Sequence, residues 1–147
     1  MSETKYESKI TKSTSNVADV FGVLSNLENL NRVRDLLPQD KISEVETTAD
    51  TIRFKVDGLG QKITIRVVER EPNSTIKFAI ENLPIAAANF WIQTKEVAEQ
   101  DTRLKLTLKA DIPTMFTMML GSKLQDGLDR AAQMLAQFPY QNWNNKA

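Results

Sequence analysis

A helix closes the sequence, and its shape dictates what the rest of the chain must supply. From Thr114 to Phe138, Leu120, Leu124, Leu128, Ala131, Leu135 and Phe138 recur at three- and four-residue steps and form one apolar stripe. Asp126, Asp129, Arg130 and Gln133 fall on the other side and read as solvent-facing. A stripe that long needs a sheet to lie against. The preceding segments alternate with period two, as half-buried strands do. Lys41 to Thr48 reads as a weak edge strand. Ile52, Phe54 and Val56 alternate with Arg53, Lys55 and Asp57, and the tip Asp57 to Gly60 is a strong hairpin signal. Ile63, Ile65 and Val67 follow, then Ile76, Phe78 and Ile80, then Phe90, Ile92 and Thr94, then Leu104, Leu106, Leu108 and Ala110.

Ahead of these segments, Lys5 to Lys12 alternates with Tyr6, Ser8 and Ile10 on one side, a first strand. Asn16 is placed to cap a short helix whose buried face is Val17, Val20, Phe21 and Leu24. A second short helix runs through Leu27, Leu30, Val33, Leu36 and Leu37 until Pro38 stops it. The order is strand, two short helices, six strands on hairpin-length turns, and one long helix. Antiparallel hairpins with helices on one face make an α+β domain.

The 147 residues suit a single domain over 1–147, with a core from about 5 to 138 and a polar tail at 139–147 in which Tyr140 and Trp143 stand out. Lysine plus arginine and aspartate plus glutamate number 19 each, so nothing global points to nucleic acid. No apolar run approaches the roughly 20 residues of a membrane span, and the polar start MSETKYESK is no signal peptide, so a cytoplasmic protein is expected. With no cysteine there is no thiolate chemistry. With no histidine, the commonest general base and metal ligand are missing. No cofactor and no metal are expected, because no carboxylate cluster or nucleophile–base pair is visible.

This order resembles the START-like, SRPBCC or helix-grip superfamily, which includes polyketide cyclase-like proteins and the birch-pollen-allergen family. The strand followed by SNVADVFGVLSNLENL, the hairpin series, and DIPTMF leading into the helix carry the resemblance, over about 5 to 138. It implies a seven-stranded curved antiparallel sheet wrapped around the C-terminal helix, with two short helices between strands one and two. It also implies an apolar cavity between sheet and helix. On this chain the inward set is Ile52, Phe54, Val56, Ile63, Ile65, Ile76, Phe78, Phe90, Ile92, Leu104, Leu106 and Leu108, with Phe116, Met119, Leu120 and Leu124 from the helix. The residues assigned to ligand are Phe54, Ile65, Phe78, Phe90, Ile92, Leu106, Leu108, Phe116, Met119, Leu120 and Leu124.

Three functions fit. The first is binding of a small hydrophobic or amphipathic ligand, such as a lipid, isoprenoid or polyketide-like compound. Met115, Met118 and Met119 beside Phe116 can adapt to varied apolar partners. Gly121 and Gly127 each weaken the helix by about 1 kcal/mol relative to alanine. Gly121 suits a pocket and Gly127 packing. Leu83, Pro84, Ile85 and three alanines in ENLPIAAANF could cover the cavity mouth, begin the next strand early or form a dimer contact. The second is a cyclase- or dehydratase-type enzyme. It needs a buried polar group, for which Tyr6, Ser8, Thr94, Glu96 and Asn89 are the candidates, and it is the less expected of the two. The third is a protein-interaction module, as in the heat-shock-protein ATPase activators of this fold. It would use the basic sheet exterior of Arg53, Lys55, Lys62, Arg66, Lys77, Lys95, Arg103, Lys105 and Lys109 to meet an acidic protein or an anionic membrane surface. Against these cations the exterior sets only Glu7, Asp57 and Glu81, the other acids gathering in helices and turns.

Overall fold

A computed structural model describes the backbone of residues 3–32, 42–56, 58, 62–82, 88–111, 114–138 and 140, and their side chains except at 3, 30–32 and 114–120. Eight strands form one antiparallel sheet: β1 (Glu3–Glu7), β2 (Thr11–Ser13), β3 (Ile42–Thr47), β4 (Thr51–Val56), β5 (Lys62–Glu71), β6 (Thr75–Glu81), β7 (Ala88–Ala98) and β8 (Asp101–Asp111). Their order is β1-β8-β7-β6-β5-β4-β3, with β2 also paired to β8. Helix α1 (Val17–Leu24) and a 3₁₀ helix (Leu27–Arg32) follow β2, and α2 (Thr114–Gln137) closes the chain. This is the α+β helix-grip architecture expected from the sequence. Val33, Leu36, Leu37 and Pro38, assigned to the second short helix, lie outside the described residues, as do most of the hairpin tip at 57–60 and the apolar loop at 83–87.

The expected first strand is two strands, because an extra residue interrupts it. Glu7 pairs with Thr107 and Thr11 with Leu104, so three residues of the first strand oppose two of β8. Ser8 mends the gap: its N–H donates to the Leu106 carbonyl at 2.8 Å and its hydroxyl accepts the Leu106 N–H at 2.9 Å. The alternation then slips by one, so Ile10, expected beside Tyr6 and Ser8, is 67% exposed while Ser13 and Ser15 are buried. Two other register shifts behave alike. Val68 lies between Val67 and Glu69, and Val97 between Glu96 and Ala98, and both are half exposed. A bulge frees one residue from the ladder and bends the strand. The apolar residues freed here, Ile10, Val68 and Val97, face out.

The β5 bulge also turns Arg70 toward the inner face, opposite Ile76. Its guanidinium donates to the Ser25 carbonyl at 2.9 and 3.0 Å, to the Ala49 carbonyl at 3.1 Å and to Asp50 Oδ1 at 2.7 Å. Ser25 is the C-cap of α1. A single side chain therefore ties the end of α1 to the β3–β4 turn. Asn16 sits at the N-cap of α1 but makes no side-chain cap there; its Oδ1 accepts the Gln100 N–H at 3.1 Å, joining the helix start to the β7–β8 turn.

Helix α2 packs its stripe as expected, with Leu128 buried and Leu124, Ala131 and Leu135 partly so, and Ala132 is fully buried as well. Asp129 departs from the surface role expected of it. Its Oδ1 accepts the Lys9 N–H at 2.8 Å, while Gln125 Nε2 donates to the Glu7 carbonyl at 2.7 Å and Thr11 Oγ1 to the Ala132 carbonyl at 3.0 Å. Tyr140, expected in a polar tail, is fully buried against Phe138 and donates its hydroxyl to the Leu135 carbonyl at 2.6 Å. That carbonyl is one of those a helix end leaves unpaired.

Candidate ligand-binding face of the sheet

Burial along the inner face is graded. At the α1 end, Ile76, Leu104 and Leu106 are fully buried, and Phe78 and Ile92 nearly so. Toward the first half of α2, Tyr6, Leu108 and Phe90, which are consecutive register partners across β1, β8 and β7, are only half buried. Ile80, Ile65, Phe54 and Val56 on β6, β5 and β4 are likewise half buried. In the next row the paired Ala88 and Ala110 are small, buried, and packed against Tyr6, Ile80 and Leu124.

The sequence-assigned residues divide along this gradient. Phe78, Ile92 and Leu106 belong to the filled part of the core. Phe54, Ile65, Phe90 and Leu108 lie in the partly accessible part, where the Phe90 ring meets Phe78 at 5.8 Å between centroids. Leu124 packs on the alanine pair. The side chains of Phe116, Met119 and Leu120, like those of Met115 and Met118, lie outside the described residues, although their backbone is helical. Ala88, Ala110 and Ile80 were not among the assigned residues; the even spacing of β6, β7 and β8 could have found them.

The inward polar groups are mostly committed. Ser8 completes the bulge. Thr94 Oγ1 donates to the Ser74 carbonyl at 3.4 Å, and Thr102 Oγ1 to the Ser15 carbonyl at 2.8 Å. Glu96 is exposed, and Asn89 faces outward beside Lys109 in the register. The Tyr6 hydroxyl has no hydrogen-bond partner among the described residues and faces α2 at Gly121, where an added Cβ would lie 3.5 Å from it. Gly127, read from the sequence as a packing glycine, is exposed, and a Cβ there would meet nothing within 4 Å.

The outer face is less uniformly basic than the sequence implied. Lys55 pairs with Glu44, Lys62 with Glu46, Arg66 with Glu81, Arg103 with Asp101 and Lys105 with Glu7, so five of the nine cations meet carboxylates. Glu44 and Glu46 lie on β3, the expected edge strand, and add to the acids expected on the exterior. The Lys105 hydrogen bond holds the Glu7 carboxyl below its ordinary pKa, and the Arg103 hydrogen bond does the same for Asp101. Lys77 and Lys109 each sit 5.4 Å from the Trp91 ring centroid. A recess of about 400 Å³ between Ile10 and the outward side chains of Gln93, Lys95, Arg103 and Lys105 is open to solvent. Among the described residues no acidic cluster could hold a metal ion, and no helix is long and apolar enough to cross a membrane.

No family model matches the sequence, and no curated protein matches it either. Solved structures do match. A truncated norcoclaurine synthase from Thalictrum flavum superposes with a TM-score of 0.71 at 12% identity, over 99% of this chain and 96% of that one. The Zhui aromatase/cyclase from Streptomyces sp. R1128 gives a TM-score of 0.56 at 17% identity, over 75% and 68%. A START superfamily protein from Mycobacterium smegmatis gives 0.55 at 13%, over 83% and 88%. Identities this low speak for the fold and leave the site to be argued from its own residues. The likeness shows the fold: this chain has an α+β helix-grip fold.

Proposed function

We propose that the protein binds a small, largely apolar molecule between the inner face of the sheet and the first half of α2. One observation carries this reading: the graded burial of the inner face. A filled core would bury Leu108 and Phe90 as fully as their strand neighbours Leu106 and Ile92, since interiors pack to uniform density. Half-buried aromatic and branched side chains, facing inward beside paired alanines, are what a ligand's apolar body would cover, each Å² removed from water contributing about 25 cal/mol. The ligand-contacting residues on this reading are Phe54, Ile65, Phe90, Leu108 and Leu124, joined by Phe116, Met119 and Leu120 from α2. Phe78, Ile92 and Leu106 form the floor.

The names of the neighbours include a cyclase and a synthase, and an enzyme of that type is the runner-up. It needs an acid or base in the cavity, and the exposure of Glu96 counts against that carboxylate, whose register is inward. A role in protein interaction through the basic exterior has less support than the sequence suggested, because much of that charge is paired within the sheet.

Native mass spectrometry of protein purified gently from its own host tests the proposal. A discrete added mass that extracts into organic solvent is the expected result. Bare protein whose melting temperature is unmoved by a panel of lipids and aromatic polyketides would overturn it, because a ligand specific to the folded state must raise stability. If charge reversal at Arg53, Lys55 and Lys105 then abolished capture of a partner, the exterior would carry the function.

A further inference from the structure

Tyr6 and Gly121 together leave a phenol hydroxyl open toward the helix. Tyr6 sits on β1 opposite Leu108, facing α2, and touches both apolar clusters of the interior. A phenol placed among apolar side chains normally finds a partner for its O–H. Tyr140 does, at 2.6 Å from the Leu135 carbonyl, but Tyr6 has no such partner among the described residues. The other inward polar groups near the middle of the sheet are committed: Ser8 to the bulge, Thr94 and Thr102 to backbone carbonyls, and Arg70 to three oxygens at the α1 end. Thr4, the next inward residue on β1, lies near the end of that strand.

Gly121 lies within a helix, where glycine is disfavoured relative to alanine. Nothing in the surroundings demands it. An alanine Cβ would meet only the Tyr6 ring, at 3.5 Å from Oη and 4.0 Å from Cε1, which is ordinary contact without strain. What that methyl would do is cover the hydroxyl on its helix side. A hydrogen-bonded oxygen must come within about 2.7–2.8 Å of Oη, and it could not share that space with the methyl.

Resting on the cavity proposed above, we infer that Tyr6 hydrogen-bonds the polar end of the bound molecule and that Gly121 keeps the approach to its hydroxyl open. The ligand class narrows accordingly. No cation on the described inner face is free to meet a carboxylate or phosphate, since Arg70 is already bonded to Ser25, Ala49 and Asp50. A neutral amphipathic molecule with one hydroxyl or carbonyl at the end of an apolar body fits this arrangement, with Tyr6 as a positioning and selecting residue.

Calorimetric titration with a matched pair, naphthalene and 2-naphthol, tests this on the wild-type protein, Tyr6→Phe and Gly121→Ala, with the melting temperature of each recorded. Wild type is expected to prefer 2-naphthol. Tyr6→Phe should weaken 2-naphthol about three- to tenfold, the worth of one ordinary hydrogen bond, and leave naphthalene unchanged. Gly121→Ala should melt higher yet show the same selective loss, so the test survives if the tyrosine variant folds poorly. An unchanged ratio of the two affinities in both variants would overturn the inference while leaving the cavity standing. Failure of the wild type to bind either probe would remove the cavity and the inference with it.

Discussion

Arg70→Ala should loosen the α1 end of the molecule by an amount the structure allows to be worked out. Its guanidinium serves two backbone carbonyls, those of Ser25 and Ala49, and the Asp50 carboxylate. A hydrogen bond to an uncharged partner contributes about 1 kcal/mol, more when the donor is charged. The Asp50 side chain is 63% exposed, so that ion pair adds only a fraction of 1 kcal/mol. The Arg70 side chain is itself 36% exposed, and water will replace part of what is lost. The expected cost is about 2 kcal/mol, or roughly 4–8 °C in melting temperature for a domain of this size. Arg70→Lys should recover less than half, because a point charge cannot fork between Ser25 and Ala49. Urea unfolding at constant slope measures the loss, and amide exchange over α1 should quicken with it. The Leu27 N–H, bonded to the Ala49 carbonyl at 3.1 Å, should stay protected. If Arg70→Ala unfolded within 0.5 kcal/mol of wild type, or if lysine fully replaced arginine, the clamp would not be what holds α1 to the β3–β4 turn.

Four further outcomes follow from the same geometry. Gly127→Ala should stabilise by up to about 1 kcal/mol in thermal unfolding, since the site is exposed and a Cβ there meets nothing. Val68→Ser should be neutral within about 0.5 kcal/mol while Val67→Ser costs about 1–3 kcal/mol, reversing the equality that two adjacent valines suggest; equal losses would contradict the bulge. Burial raises the Tyr140 pKa well above its ordinary value of 10.0, so its share of stability is present below that value and is lost as pH rises beyond it. Tyr140→Phe should flatten unfolding free energy against pH in the alkaline range. The lowered pKa values of Glu7 and Asp101 act with the opposite sign: their contribution holds above the ordinary carboxylate range and fades as pH falls through the lowered values, and Glu7→Gln with Asp101→Asn should shift the acid unfolding midpoint.

The fold was readable where apolar residues kept period. Ile76, Phe78 and Ile80, and Leu104 to Ala110, carry their side of the sheet in plain alternation, and α2 keeps its stripe from Leu124 to Leu135. Reading failed where the period slips. After Ser8 the inward phase passes to Thr11, Ser13 and Ser15, which bear no hydrophobic mark, so alternation alone places Ile10 on the wrong side of the strand. Asp129 misled for a related reason: a carboxylate on a helix flank looks solvated until the bulge supplies the Lys9 N–H. Tyr140 lies beyond Pro139 in a polar run, and only tertiary contact buries it. Of the candidate site, the apolar residues were legible from alternation, whereas Leu106, fully buried, and Leu108, half buried, lie two residues apart on one face of β8, and nothing local in the sequence distinguishes them.

The polar seam between α2 and the first strand has a consequence beyond docking the helix. Strand β1 is at one end of the sheet, and an end strand offers unpaired backbone groups to any other chain that can add a strand. Here Gln125 occupies the Glu7 carbonyl and Asp129 the Lys9 N–H, so the helix claims positions where a foreign strand would begin to zip. At the opposite end, β3 interrupts its own register between Ser43 and Glu46, with Glu44 in a left-handed conformation at φ 53°. One edge is covered and the other is irregular. Protection of the β1 edge thus rests on two side chains of a helix that reads, in sequence, as though it served only the core.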